Sequence, residues 1–268
     1  MQISEKKEWG SFAKRCAREA GALIQRMLEK PLEVMYKSSA ADLVTSVDRA
    51  VEKYIMDSIL NVYPGHGILG EEGLFARDVT GYDAVWVIDP IDGTTNFVHQ
   101  KLNYCISIAF FYQGICQAAV VYDPTRDEMF YAEKDGGAYL NDVRLKPPHH
   151  LHMEESLLAS SIFWNKKAID CGLAEKIQEL AQCSRGMRVL GVAALELAYV
   201  AAGRLDGYVS MSLNSWDYAA GKLLIEEAGG IVTRMDGTSI PFTEKTSILA
   251  ANPGIHQKML EFIKEDRV

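Results

Sequence analysis

Trp86-Val-Ile-Asp89-Pro90-Ile91-Asp92-Gly93-Thr94-Thr95-Asn96 is the stretch around which the rest of the chain is arranged. The apolar run from Ala84 to Ile88 reads as a short buried strand. Proline cannot donate to a sheet ladder, so the strand is expected to stop at Asp89-Pro90. Two carboxylates, Asp89 and Asp92, then lie three residues apart on an irregular loop. Gly93 follows, free to take backbone angles that other residues avoid. Oxygen acceptors gathered at a strand end suit a hard cation such as Mg²⁺. The bare glycine amide beside them suits a phosphate oxygen. The stretch therefore predicts a metal-dependent phosphoryl-transfer site.

Upstream, Phe12, Ala13, Cys16, Ala20, Leu23, Ile24, Met27 and Leu28 recur at helical spacing within residues 8–30, and Pro31 follows. Residues 34–36 predict a short strand and 37–42 a polar loop. A second amphipathic helix over 46–62 places Asp48 in its first turn, where the helix dipole favours an anion. Ile68-Leu69 leads into Gly70-Glu71-Glu72-Gly73, a second pair of acids at a strand end. Downstream, 106–111, 116–122 and 129–132 are β-rich, with turn signals at Gln113-Gly114 and Asp123-Pro124, and one more strand follows Gly136-Gly137. Short turns between consecutive strands predict an antiparallel sheet beside two helices.

After Pro147-Pro148 the pattern changes to strand–helix alternation. Strands are expected at 157–160, 188–190, 208–211, 231–233 and 248–250, and helices at 169–183, 193–202, 216–228 and 253–265. Asn214 or Ser215 is available to cap the third of these helices. The expected fold class is α+β to α/β. An N-terminal helix-plus-antiparallel-sheet domain covers 1–148 and a smaller C-terminal α/β domain covers 149–268.

The chain has 268 residues, 48% of them hydrophobic, enough for a large core. Its net charge of -8 argues against a nucleic-acid surface, and a phosphate site in an acidic protein needs cations to invert its field. Five widely spaced cysteines with no C-x-x-C predict reduced core thiols and a cytoplasmic location. The charged N-terminus has no signal core, and no run approaches the roughly 20 apolar residues that cross a bilayer. A soluble protein with neither membrane nor nucleic-acid partner is expected.

Glu71, Asp89, Asp92 and Asp217 each lie at the end of an element, where acids converge as a sheet opens. Two divalent ions a few ångström apart need about this many carboxylates, with one bridging, and Asp89 is placed to bridge. The Ile91 carbonyl adds a further hard oxygen.

The segments Asp42-Leu-Val-Thr-Ser-Val-Asp48, Gly70-Glu71-Glu72, Trp86 to Thr95 and Trp216-Asp217-Tyr-Ala-Ala-Gly221 resemble the inositol monophosphatase family in order and spacing. The resemblance runs from the Lys37 loop to the last helix. It implies alternating layers of helices and sheets, a Mg²⁺ requirement with two or three ions, inhibition by Li⁺, a homodimer, and hydrolysis of a small phosphorylated substrate, inositol 1-phosphate first. By motif, Glu71, Asp89 and the Ile91 carbonyl would hold the first ion, and Asp89, Asp92 and Asp217 the second. A looser third ion would sit near Glu71, which is counted with the catalytic residues. Thr94 would help activate the attacking water, with Asp48 behind it. The Gly93 and Thr94 amides would receive the phosphate, and Asp92 and Asp217 would also face the substrate. Gly191-Val192-Ala193 resembles the loop beside the substrate ring, Arg188 a substrate-side arginine of bacterial members, and Lys37 the mobile-loop lysine.

One position departs from the pattern. Ser210 stands seven residues before Asp217, where animal members carry a glutamate that contacts ring hydroxyls. NADP(H), fructose bisphosphate and other sugar or nucleotide phosphates are therefore alternative substrates. Two rivals stand beside the reading. An aspartyl-phosphate phosphatase would use a D-x-D-G-T loop, but here the spacing is Asp89-x-x-Asp92. A regulatory protein, partner to RNA or a polymerase, would reuse the fold without its chemistry. His149, His150 and His152 are read as surface loop, and Trp86 and Trp216 as packing beside the acids.

Overall fold

The computed structural model describes residues 3–29, 34–36, 43–75, 78–146 and 152–264. Lys37, His149, His150 and the expected domain boundary at 148/149 lie outside the described residues. Helix α1 spans Ile3–Met27, and a two-stranded ribbon of β1 (Val34–Tyr36) and β2 (Leu43–Thr45) leads into α2 (Ser46–Val62). A large sheet follows, made of β3 (Gly67–Gly70), β4 (Ala84–Asp92), β5 (Cys105–Tyr112), β6 (Ile115–Asp123), β7 (Glu128–Glu133), β8 (Gly137–Leu140) and β9 (Val143–Arg144). Its seven strands are hydrogen-bonded in sequence order. A short helix α3 (Thr94–Gln100) sits between β4 and β5.

The remaining chain forms β10 (Leu157–Ser160), α4 (Lys166–Asp170), α5 (Leu173–Gln182), β11 (Gly186–Arg188), α6 (Ala193–Ala201), β12 (Gly207–Leu213), α7 (Ser215–Glu227), β13 (Ile231–Thr233), β14 (Thr246–Ala251) and α8 (Pro253–Lys264). Its five strands run in the order β11-β10-β12-β14-β13, with β10 parallel to both its neighbours.

Side-chain alternation along the strands builds three apolar layers. One face of the large sheet (Trp86, Ile88, Ile108, Phe110, Val120) packs on α1 and α2. Its other face (Val85, Val87, Ala109, Val121, Phe130) packs on α6 and α7, which also cover Tyr208, Ile248 and Ala250 of the small sheet. The far face of the small sheet (Leu158, Val209, Leu249) packs on α5 and α8. The result is five alternating layers of helix and sheet, as the resemblance implies. Among the described residues no helix is long and apolar enough to cross a membrane.

Several local expectations are corrected. Strand β4 does not end at Pro90 but continues to Asp92, with a register break between Asp89 and Asp92 against β5. The pairing of β3 ends at Gly70↔Ile88, so Pro90 withdraws no hydrogen bond from that neighbour. The large sheet is not wholly antiparallel, because β3 runs parallel to β4. Parallel neighbours finish at the same edge, which brings Glu71 and Asp89 to one end of the sheet. The helix expected over 169–183 is split into α4 and α5 at Gly172, whose φ is +75°. Two thiols are not in the core: Cys171 and Cys183 are exposed at the C-terminal ends of α4 and α5.

Candidate metal centre

Each acid is aimed by the element that carries it. Thr45 caps α2: its hydroxyl accepts from the Val47 and Asp48 amides, while its own N–H donates to Asp48 Oδ2 at 2.8 Å. This reciprocal cap holds Asp48 completely buried at the helix start. Asn214 caps α7 likewise, its N–H donating to Asp217 Oδ2 at 2.8 Å. Ser107 Oγ donates to the Trp216 carbonyl at 3.1 Å and ties that helix start to β5, opposite Asp89.

In the bulge of β4 the Ile91 N–H donates to Asp89 Oδ1 at 3.0 Å. The Ala194 N–H, at the start of α6, donates to Asp92 Oδ2. Asp89, Asp92 and Asp217 therefore share one arrangement: a backbone amide holds one carboxylate oxygen and orients the other.

Gly93 then caps α3 with φ of +90°. A Cβ there would lie 2.9 Å from the Asn103 carbonyl and 3.2 Å from Val192, so both conformation and space require glycine. The first amides of α3 have no carbonyl one turn earlier to receive them. Thr94 Oγ1 lies 3.2 Å from Asp48 Oδ1 and 3.0 Å from the Ile91 carbonyl, and its single proton serves one of these acceptors at a time.

The acids act on one another's charge. Burial, and then Glu71, Asp92 and Asp217 in turn, push Asp89 well above the ordinary carboxylate range. Burial and then Asp217 do the same to Asp92, against the pull of the Ala194 amide. Asp217 is pushed up to about 7 by burial, opposed by Asn214 and by the charge of Lys245. Burial raises Asp48 too.

Oxygen-only donors of this charge fit a hard divalent cation, because a cation offsets both the desolvation and the mutual repulsion. Among the described residues no three acidic, histidine or cysteine side chains close to ion-ligand spacing. The fit therefore rests on charge and orientation, not on a preformed cage. A cavity of about 480 Å³ opens beside Glu71, lined also by Thr80, Asn214, Trp216 and Lys245.

The structure thus brings Asp48, Glu71, Asp89, Ile91, Asp92, Thr94 and Asp217 together, with Gly93 between them and Val192 against Gly93. Gly191 turns with φ of +71° at the edge of the cluster, and Ala193 begins α6. Arg188 is not drawn in: its side chain is exposed and donates to its neighbour's carbonyl, Met187, at 3.1 Å. Ser210 is buried on β12. Trp86 is fully buried and donates to His66 Nδ1 at 3.0 Å, a packing role as expected.

Sequence reasoning missed Glu52, buried in α2, whose carboxylate accepts the Glu72 N–H at 2.7 Å and the Leu74 N–H at 3.0 Å. These bonds hold the turn that follows Glu71. A signal was present, since Glu52 lies four residues after Asp48 and three before Ile55, on the inward stripe of α2. Asn96 and Glu196 were missed as well.

A model of the inositol monophosphatase family matches residues 5–267. The chain is 43% identical over 257 residues to the inositol-1-monophosphatase of Bacillus subtilis (strain 168), covering 95% of this chain and 96% of that protein. It is 42% identical over 259 residues to the Nus factor SuhB of Pseudomonas aeruginosa, covering 95% of each. A solved structure of an IMPase/NADP phosphatase complexed with Mg²⁺ and phosphate superposes with a TM-score of 0.83 at 26% identity, covering 92% of each chain. With a match that runs nearly end to end, the chain belongs to the inositol monophosphatase family, whose phosphatases are Mg²⁺-dependent.

Proposed function

We propose that this protein hydrolyses small phosphate monoesters, inositol 1-phosphate first among them, by direct attack of water. The observation that carries the reading is the set of three aspartates, each with one oxygen turned by a backbone amide, beside the Thr94–Asp48 pair. Glu71, Asp89 and the Ile91 carbonyl would hold one Mg²⁺, Asp89, Asp92 and Asp217 a second, and Glu71 a looser third. When bound, the ions supply a more acidic water and offset charge on the phosphoryl group and leaving oxygen.

The chain's own groups do the rest. The Gly93 and Thr94 amides point from the start of α3 to receive phosphate oxygens. Thr94 Oγ1 takes the water's proton while passing its own to Asp48 Oδ1, whose burial raises its affinity for it. Gly191, Val192 and Ala193 border the alcohol part of the substrate. By the resemblance Lys37 and Arg188 would add positive charge as it enters, Arg188 from its exposed position outside the cluster.

The serine at 210 in place of a ring-contacting glutamate supports wider selectivity, with NADP(H) and fructose bisphosphate as alternative substrates. Li⁺ inhibition, a homodimer and a cytoplasmic location belong to the same reading. The relative named a Nus factor favours a second one, a regulatory role in transcription alongside or instead of catalysis.

The deciding experiment is phosphate release from a panel of phosphoesters in H₂¹⁸O with and without Mg²⁺. One ¹⁸O per phosphate, Mg²⁺ dependence and no phosphoenzyme after rapid quench are expected. A trapped aspartyl-phosphate, or no release alongside tight binding to a transcription partner, would overturn the reading.

A further inference from the structure

We propose that Glu196 and Asn96 are positioning residues that clamp the 190–193 loop against the acid cluster and so set how tightly the alcohol part of a substrate is held. The proposal rests on the placement of that loop beside the substrate given above. Glu196 stands in the first turn of α6 and is only 1% exposed. Its Oε1 accepts the Leu190 N–H at 3.0 Å, the Val192 amide faces the same carboxylate and favours its charged form, and the Glu196 N–H donates to the Val192 carbonyl at 3.0 Å. Burying a carboxylate is costly unless donors meet it, and these two loop amides are the donors present.

Leu190 is held from its other side too. Its carbonyl accepts Asn96 Nδ2 at 2.7 Å, and the same amide nitrogen donates to the Asn103 carbonyl at 2.9 Å, so both its protons are engaged. Asn96 lies two residues after Thr94 on α3, so the clamp joins the helix carrying the proton relay to the helix whose Ala194 amide meets Asp92. Val192, between the two anchors, packs onto the Gly93 backbone. Neither anchor bonds to Asp89 or Asp217. Glu196 also acts on Asp92 through its charge, and Glu196→Gln, which drops the charge but keeps an acceptor, separates that effect from the grip on the loop.

The test compares wild type with Glu196→Ala, Glu196→Gln and Asn96→Ala. Amide hydrogen exchange at Leu190 and Val192 reports the clamp itself. Kinetics with myo-inositol 1-phosphate, and inhibition by inorganic phosphate, report its use. Glu196→Ala should speed exchange at both amides at least about tenfold. It should also raise KM about tenfold with kcat within about threefold and phosphate inhibition within about twofold. Glu196→Gln keeps an acceptor oxygen and should recover part of the KM.

Faster exchange with unchanged KM would sink the proposal, since the loop would then not hold substrate. A joint fall of kcat and phosphate affinity would also sink it, because the effect would run through Asp92. If Glu196→Ala does not fold, Glu196→Gln and Asn96→Ala give the same comparison. If wild type proves to hydrolyse no phosphoester, the catalytic reading fails by itself. Calorimetric binding of myo-inositol 1-phosphate to wild type and variant then decides the clamp: a weaker variant supports it, and equal or absent binding rejects it.

Discussion

At Asp89 a single side chain is asked to be anionic, buried and next to three other acids. That conflict separates stability from function at this residue. Asp89→Asn keeps the shape and removes the repulsion, so in EDTA its Tm should exceed that of wild type. Its Mg²⁺-induced rise in Tm should vanish, and phosphate release should fall at least about a hundredfold. Thermal melts with and without Mg²⁺, beside a release assay, check all three. Gly93→Ala fails for a different reason. The added Cβ meets the Asn103 carbonyl at 2.9 Å in a left-handed conformation, and a loss of about 1–3 kcal/mol is expected from chemical denaturation.

The elements matter by where they stop. Glu71 is useful because β3 ends beside Ile88, and its following turn is held by the Glu52 carboxylate. Glu52→Ala should therefore raise the Mg²⁺ concentration for half-maximal activity about tenfold, with a smaller effect on kcat at saturation. A Mg²⁺ titration of initial rates checks it, and an unchanged midpoint would show that the turn holds its shape without this acid.

The acids of the site were legible in sequence because each motif is contiguous: Asp89 to Thr94 names the chemistry in six residues. The anchors were not. Glu52 acts 20 residues away from the amide it holds at Glu72, and Asn96 acts 94 away at Leu190, so only the packing of layers reveals either. The continuation of β4 past Pro90 was hidden for a related reason: whether a proline costs a ladder bond depends on how far the neighbouring strand extends. The break at Gly172 was obscured by apolar spacing that reads as helix on both sides. The bounds of helix α2 were read to the residue, but its Thr45 cap and the place of Glu52 on its inward stripe were not.

For the whole molecule the buried carboxyls set an unusual pH dependence. Burial pushes Glu196 up to about 7, above an unfolded value near 4.5. Between those values the folded chain binds the extra proton, so stability rises as pH falls through 7 and the benefit is complete below about 4.5. For Glu196 alone this is of order 3 kcal/mol between the two limits. Asp217, at about 7, and Asp89 act with the same sign. In EDTA, Tm should increase from pH 8 to pH 6, and Glu196→Gln should flatten the slope. Mg²⁺ competes with protons for the site's oxygens, so it should raise Tm more at pH 8 than at pH 6. A pH series of melts with and without Mg²⁺ checks both.

The amide grip on Asp89, Asp92 and Asp217 carries a further consequence, for discrimination between ions. A carboxylate with one oxygen already engaged offers the other singly, whereas Ca²⁺ gathers six to eight oxygens and often takes both from one group. Calcium would find one oxygen of Asp92 and one of Asp217 already engaged, while octahedral Mg²⁺ needs only single oxygens and keeps its waters. Rejection of the larger ion would then be written into the main chain rather than into the side chains that touch the metal.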